Sequence, residues 1–245
     1  MKAPGLEALS ALRYPGRFII IGADPTGDFS TVVYGITGRS ASSQARKLVG
    51  EGGTVWTKPT DPDILKRGNP ALLIYPAVIV GSGLAVSNGR QTSDIANRLA
   101  SSRSPRQALS SALGAWDYEP DSPIYTPRIS GCLLPDGRAS LSIIRRAAEG
   151  GTVRDFYDVP FAAGRGQFIS TYRGGDKDPI SAWEGGPQEV KLEQASTLAL
   201  ASAAYEALAP QVAGPDYRVA CAALFFRRDA SQEVSLHIIN RWERI

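Results

Sequence analysis

The 245-residue sequence holds one histidine, two cysteines and one methionine, and each shortage closes a class of function. The lone His237 sits in an alternating strand pattern near the C-terminus, where a histidine is more often structural than catalytic. With no second histidine and no Cys pair at ligand spacing, a zinc site is not expected, and no metal or cofactor is. A Ser-His-Asp triad has only His237 to draw on, and no Gly-x-Ser-x-Gly elbow accompanies it. Acid–base chemistry therefore falls to carboxylates, tyrosines or lysines. Cys132 and Cys221 lie in apolar strand-like runs and read as small buried hydrophobes of a reduced protein. Long apolar runs are missing too: the longest, residues 71–80, is interrupted by Pro76, so no membrane span is expected. The first residues, with Pro4 and Glu7 and no apolar stretch, do not read as a secretory signal, and the expected location is the cytoplasm.

Charge of one sign is also scarce. The net charge is +3, and no basic run with interleaved aromatics points to nucleic acid. Arginine far outnumbers lysine, which suits bidentate recognition of phosphate or carboxylate. GC-rich coding produces the same bias, and composition does not separate the two. What is present is core material: 43% of the residues are hydrophobic and 21% charged. No low-complexity linker divides the chain, which favours one domain over residues 1–245.

The organisation reads as antiparallel hairpins with a few helices, an α+β class. Residues 17–23 and 31–37 are β-branched runs around the turn Asp24-Pro25-Thr26-Gly27-Asp28. Residues 71–79 and 84–87 form a second pair, and 128–134 with 139–145 a third around Pro135-Asp136-Gly137. Residues 153–159 and 167–172 suggest a fourth hairpin around 162–166, and 217–227 with 233–242 a closing one. Helices are expected over 90–101, over 105–113 with Pro105 opening it, and over 191–208.

Three segments concentrate chemistry. Gly38-Arg39-Ser40 runs into Ser42, Ser43 and Arg46, and a flexible glycine, hydroxyls and forked guanidinium groups are what a phosphate monoester needs. A solvated Ser/Arg loop reads the same way. Glu119 and Asp121 flank Pro120, which favours an extended backbone that projects both carboxyls from one face. Paired carboxyls drive their pKa values apart, leaving one as acid and one as base; a rigid acidic surface turn would look identical. Asn88 and Gln91, where a strand ends in Asn-Gly and enters a helix, offer amides to a ligand or a simple turn and cap. Tyr75, inside an apolar run, needs a partner for its hydroxyl if buried.

Tyr14-Pro15-Gly16-Arg17, Thr37-Gly38-Arg39-Ser40, Gly68-Asn69-Pro70-Ala71, Val86-Ser87-Asn88-Gly89 with Gln91-Thr92, Tyr118-Glu119-Pro120-Asp121, Thr126-Pro127-Arg128 and Ile169-Ser170-Thr171-Tyr172 occur in that order. In this the chain resembles the archaeal-type inosine monophosphate (IMP) cyclohydrolases and their bacterial relatives, over nearly its whole length. The resemblance implies a four-layer αββα sandwich of the N-terminal-nucleophile hydrolase type. A processed nucleophile is not expected, since Lys2 follows Met1 and no evident cleavage site precedes Ser10.

The implied reaction closes 5-formamidoimidazole-4-carboxamide ribotide to IMP with loss of water, without metal or cofactor. The resemblance assigns the 5′-phosphate to Arg39, Ser40, Ser42 and Ser43, and the carboxamide and ribose to Asn88 and Gln91. It makes Glu119 the proton-transfer carboxylate tuned by Asp121, with Tyr75 and Arg128 acting on the formyl group. Some relatives carry an acid after the Ser-Thr-Tyr strand, where this chain has Arg173; Glu184 is the candidate replacement. A homotetramer is the implied assembly. Two alternatives stand beside this reading: a purine-nucleotide-binding protein of the same fold without the activity, and another amide-processing hydrolase on the same sandwich.

Overall fold

A computed structural model describes residues 5–61, 63, 74–175, 178–210, 214–229 and 233–243. The class is α+β, with two antiparallel sheets. The first contains β1 (Arg17–Ala23), β2 (Phe29–Thr37), β10 (Arg165–Ser170), β11 (Gln188–Lys191), β12 (Arg218–Arg227) and β13 (Val234–Asn240), ordered β11-β10-β1-β2-β12-β13. The second is a meander of β3 (Arg46–Glu51), β4 (Thr54–Pro59), β5 (Tyr75–Gly81), β6 (Gly83–Ser87), β7 (Arg128–Leu133), β8 (Ala139–Arg146) and β9 (Thr152–Val159). The helices are α1 (Glu7–Ser10), α2 (Ala41–Gln44), α3 (Gln91–Leu99), α4 (Pro105–Leu113) and α5 (Thr197–Ala207).

Side-chain alternation explains the packing. Leu84, Val86, Ile129, Leu133, Leu141 and Ile143 of the second sheet join Ile19, Ile21, Val33 and Leu224 of the first in one buried cluster. The intervening residues Ala85, Cys132 and Ile144 face a second cluster with Ile95, Leu99, Leu109 and Leu113 of α3 and α4. Strands buried on both faces read as continuous apolar runs, as Phe18–Ile21 does. Each fully buried Leu or Ile contributes about 1.5–3 kcal/mol. On the first sheet, α5 packs against β12, β13 and β2 through Leu200, Ala201 and Ala204. Both cysteines are buried in these layers, and burial pushes the Cys132 thiol up to about 12. No helix among the described residues is long and apolar enough to cross a membrane.

Several sequence expectations need correction. The strands expected at 153–159 and 167–172 do not pair: β9 is an edge of the second sheet, while β10 lies between β11 and β1. Pro160 ends β9, and Gly164 then donates to Asp24 O at 2.9 Å and accepts from Leu192 N at 2.8 Å, fastening the chain to the first sheet. The helix expected over 191–208 starts at Thr197, capped by Ser196, because the chain before it forms β11 against β10. The β3–β4 hairpin around Gly52-Gly53 was not expected. The Gly68–Ala71 motif and the start of the strand expected at 71 lie outside the described residues.

The pairing brings distant strand ends together. Arg17 lies opposite Ile36, Phe18 opposite Ser170, Arg46 opposite Pro59, Thr57 opposite Tyr75, and Ser87 opposite Ser130. The starts of β1, β3, β5 and β7 and the ends of β2, β6 and β10 therefore gather at one end of the molecule.

Candidate active site

At that end lies a cavity of about 400 Å³. Arg39, Ser40, Ser42 and Ser43 line one side of it, Asn88, Glu119 and Asp121 another, and Tyr14, Arg17, Arg46, Thr126 and Tyr172 complete the wall.

The Gly-Arg-Ser segment folds as a short loop closed on itself. Ser40 caps α2: its Oγ accepts from Ser43 N at 3.2 Å, while Ser43 Oγ accepts from Ser40 N at 2.9 Å and donates to Ser40 O at 2.8 Å. The Ser43 hydroxyl is thus committed to the loop. Gly38 is required because a Cβ there would stand 2.6 Å from the Ser43 carbonyl carbon. The loop leaves Arg39 exposed at the rim, its guanidinium 4.9 Å from the Tyr14 ring centre.

On the opposite wall the buried Glu119 carboxyl pairs through Oε1 with Arg128 Nη1 at 2.8 Å. Its Oε2 is buried without a hydrogen-bond partner among the described residues. Burial raises the Glu119 carboxyl above the ordinary glutamate value; Arg128, then Arg17, offset only part of this. Arg128 also donates to Asp117 O at 2.7 Å and to Gln91 Oε1 at 3.2 Å, and stacks on Trp116. Gln91 Nε2 in turn donates to Asn88 Oδ1, which also accepts from Ile129 N, while Asn88 Nδ2 donates to Pro127 O. Gly89 makes this possible, since a Cβ would lie 2.5 Å from Gln91 Oε1 and 2.8 Å from Arg128 Nη1. The two amides orient Arg128, and Arg128 orients Glu119.

Asp121 is engaged differently. Its carboxylate accepts from Thr126 N at 2.7 Å and from the Thr126 hydroxyl, whose oxygen lies 2.7 Å from Tyr172 OH. With the Thr126 proton on Asp121, Tyr172 is the donor in that contact. Burial pushes the Tyr172 hydroxyl up to about 12.

The floor is cationic. Arg46 is 2% exposed, with Nε donating to Ser43 O at 3.0 Å, and burial together with neighbouring Arg17 pulls it down to about 10. Arg17 Nε is enclosed without a hydrogen-bond partner among the described residues. Burial works against the Arg17 charge, but the phenolic oxygens of Tyr75 and Tyr34 outweigh it and hold the group above the ordinary arginine value. Neither arginine, nor Arg39, has a carboxylate partner among the described residues.

The chain matches the IMP cyclohydrolase-like protein family over residues 14–229. The chain belongs to that family. An IMP cyclohydrolase of Methanothrix thermoacetophila is 30% identical over 226 residues, 91% of this chain and 98% of its own length. One from Halobacterium salinarum is 34% identical over 159 residues, 62% of this chain and 77% of its own. One from Methanopyrus kandleri is 40% identical over 124 residues, covering 51% of this chain and 59% of the relative.

Within this member of the family, the structure divides the residues singled out from sequence into three groups. Arg39, Ser40, Ser42, Ser43, Asn88, Glu119 and Asp121 all line the cavity. Arg128, Gln91 and Tyr75 are not among its lining residues: the first two support Glu119, and Tyr75 is buried with its hydroxyl 2.8 Å from that of Tyr34. Glu184 is elsewhere, exposed and ion-paired with Arg173 at 3.1 Å. It was expected to stand in for the acid missing after the Ser-Thr-Tyr strand, but it pairs with Arg173, which occupies that position, and does not line the cavity. Sequence reasoning gave no role to Tyr14, Arg17, Thr126 or Tyr172, although all four fall in the quoted motifs. No cluster of three or more potential metal-ligating side chains occurs among the described residues.

Proposed function

We propose that the chain is an IMP cyclohydrolase, closing 5-formamidoimidazole-4-carboxamide ribotide to IMP. The observation that carries this reading is Glu119: a buried carboxyl on the cavity wall, held by Arg128 through one oxygen while the other has no partner among the described residues. In this reading Arg39 at the rim receives the 5′-phosphate, with Ser40 and Ser42 beside it. Glu119 accepts a proton from the carboxamide nitrogen as that nitrogen bonds to the formyl carbon. Arg17 and Arg46 face the charge that develops on the formyl oxygen. The oxygen leaves as water, carrying one proton from the carboxamide nitrogen and one from the formamide nitrogen. Asn88, Gln91 and Arg128 hold the Glu119 carboxyl in place, and Asp121 holds the loop carrying Thr126. Tyr75 acts through the two arginines beside it.

The pair of sheets, with α3 and α4 against one and α5 against the other, supports the four-layer αββα arrangement of the N-terminal-nucleophile hydrolase type, in one domain. The reading carries with it a cytoplasmic homotetramer acting on a purine ribotide monophosphate.

The test is an absorbance assay for IMP formation from the formamido ribotide, with no metal added. Glu119→Gln, which keeps the shape, should lower turnover by about two to four orders of magnitude. An active Glu119→Gln protein would overturn the assignment of the base. No product from the native chain, together with tight IMP binding, would select a nucleotide-binding protein instead.

A further inference from the structure

At and behind the cavity floor, four groups from four strands form a cluster whose ionisation the ring-closing chemistry does not fix. Tyr34 of β2 and Tyr75 of β5 are 0% and 1% exposed, and their hydroxyl oxygens lie 2.8 Å apart. By register, Arg17 of β1 stands two residues before Ile19, which faces Tyr34, and Arg46 of β3 two before Leu48, which lies across β4 from Tyr75. A buried Arg46 and a half-buried Arg17 with its Nε enclosed, neither hydrogen-bonded to a carboxylate among the described residues, are costly, because a low-dielectric interior penalises uncompensated charge. Of the two carboxylates at the cavity, Asp121 is held by Thr126 and Glu119 by Arg128, and the Glu119 charge acts on Arg17 and Arg46 from the cavity side. Behind the floor, the groups beside the arginines are the phenols of Tyr75 and Tyr34.

We propose that Tyr75 is the anionic member of this cluster: its phenolate is the internal counter-ion of Arg17 and Arg46, and Tyr34 donates the hydrogen bond that holds it. The roles within the tyrosine pair follow from surroundings. Burial opposes ionisation of both, yet Arg17 and Arg46 reverse the sign for Tyr75 and bring it below the ordinary tyrosine value. Tyr34 is driven well above that value, first by burial and then by the charge on Tyr75, and so keeps its proton. Across the β4–β5 ladder Thr57 stands directly opposite Tyr75, buried, and carries no charge of its own. Tyr75 is then a positioning residue: it fixes the two arginines electrostatically at the floor without touching the cavity's contents. The cluster's ionisation stands whether or not ring closure is the reaction catalysed.

The experiment is an ultraviolet difference titration of phenolate absorbance, backed by NMR of ring-labelled tyrosine. Of the nine tyrosines, one should ionise ahead of the other eight. Tyr75→Phe should abolish that early step. Tyr34→Phe, which removes one oxygen from a buried pair, should move it up by about one to two pH units, the worth of a hydrogen bond to a charged group. If Tyr75→Phe does not fold, the Tyr34→Phe shift and the labelled native spectrum decide the matter. Absence of an early step, its survival in Tyr75→Phe, or an unmoved step in Tyr34→Phe would each overturn the proposal.

Discussion

Replacing Arg128 by Met keeps much of the side-chain volume and removes the charge that pairs with Glu119. The pair is well shielded, with side-chain exposures of 12% and 7%, so the carboxylate left behind would be both buried and unpartnered. Breaking such a pair costs about 3–5 kcal/mol when the survivor stays charged. Glu119 has an escape, however, because it can take up a proton. An ordinary glutamate ionises at about pH 4.3, so protonation costs about 3.7 kcal/mol at pH 7 and about 1 kcal/mol at pH 5. Protonation therefore caps the electrostatic part of the loss, and the cap falls with pH. The lost bonds to Asp117 O and Gln91 Oε1 add about 1 kcal/mol each at either pH. Urea unfolding followed by tryptophan fluorescence should show Arg128→Met losing about 2–3 kcal/mol more at pH 7 than at pH 5. Adding Glu119→Gln to Arg128→Met should recover most of that pH-dependent part. An equal loss at both pH values, or no recovery in the double variant, would refute a buried charge pair as the cause.

Three further outcomes follow from the same geometry. Arg39→Met should raise KM by about tenfold to a hundredfold with kcat little changed, since a charged hydrogen bond is worth about 1.5–3 kcal/mol and the phosphate is remote from the reacting atoms; a fall in kcat alone would count against the phosphate role. The pH dependence of kcat/KM should show an acid limb above the ordinary glutamate range, because Glu119 must be ionised to act and burial raises it; a limb at or below that range contradicts the assignment. Asp24→Ala removes acceptors for Phe29 N at 2.8 Å and the Thr26 hydroxyl at 2.6 Å and should cost about 2–3 kcal/mol. Burial opposes ionisation of Asp24, but these bonds hold it below the ordinary aspartate value. Its stabilisation is full above that value and lost as pH falls through the folded one, so thermal melts of the two proteins should converge in acid.

Hairpins announced by turn residues were readable from the chain: Asp24–Asp28, Pro135–Gly137 and the closing pair all formed as their sequences imply. What local pattern does not carry is which sheet a strand joins. Nothing between Val159 and Arg165 distinguishes a hairpin from a crossing, and the bonds that decide it reach to Asp24 and Leu192. The same limit applied to the site. Glu119 and Arg39 stood out because proline and glycine mark their backbones. Arg46 stood out with Arg39 as a phosphate candidate, but Arg17 sits at the start of a strand, where nothing local tells a cavity-lining arginine from an exposed one. Glu184 was misjudged for the same reason, since its pairing with Arg173 depends on how the intervening loop closes.

Because the cavity wall draws Arg17 and Tyr172 from one sheet's side and Arg46, Asn88 and Glu119 from the other's, neither sheet alone contains a binding site. A ligand held there is a clamp across the seam between the sheets. At a hundredfold excess over Kd it would add about 2.7 kcal/mol to the native state. All of that falls on openings that part the two sheets, and none on fraying of their outer edges. Ligand should accordingly slow hydrogen exchange in β1 and β7 while leaving the edge strands β13 and β9 unchanged, so that binding and the docking of the two sheets draw on one interface.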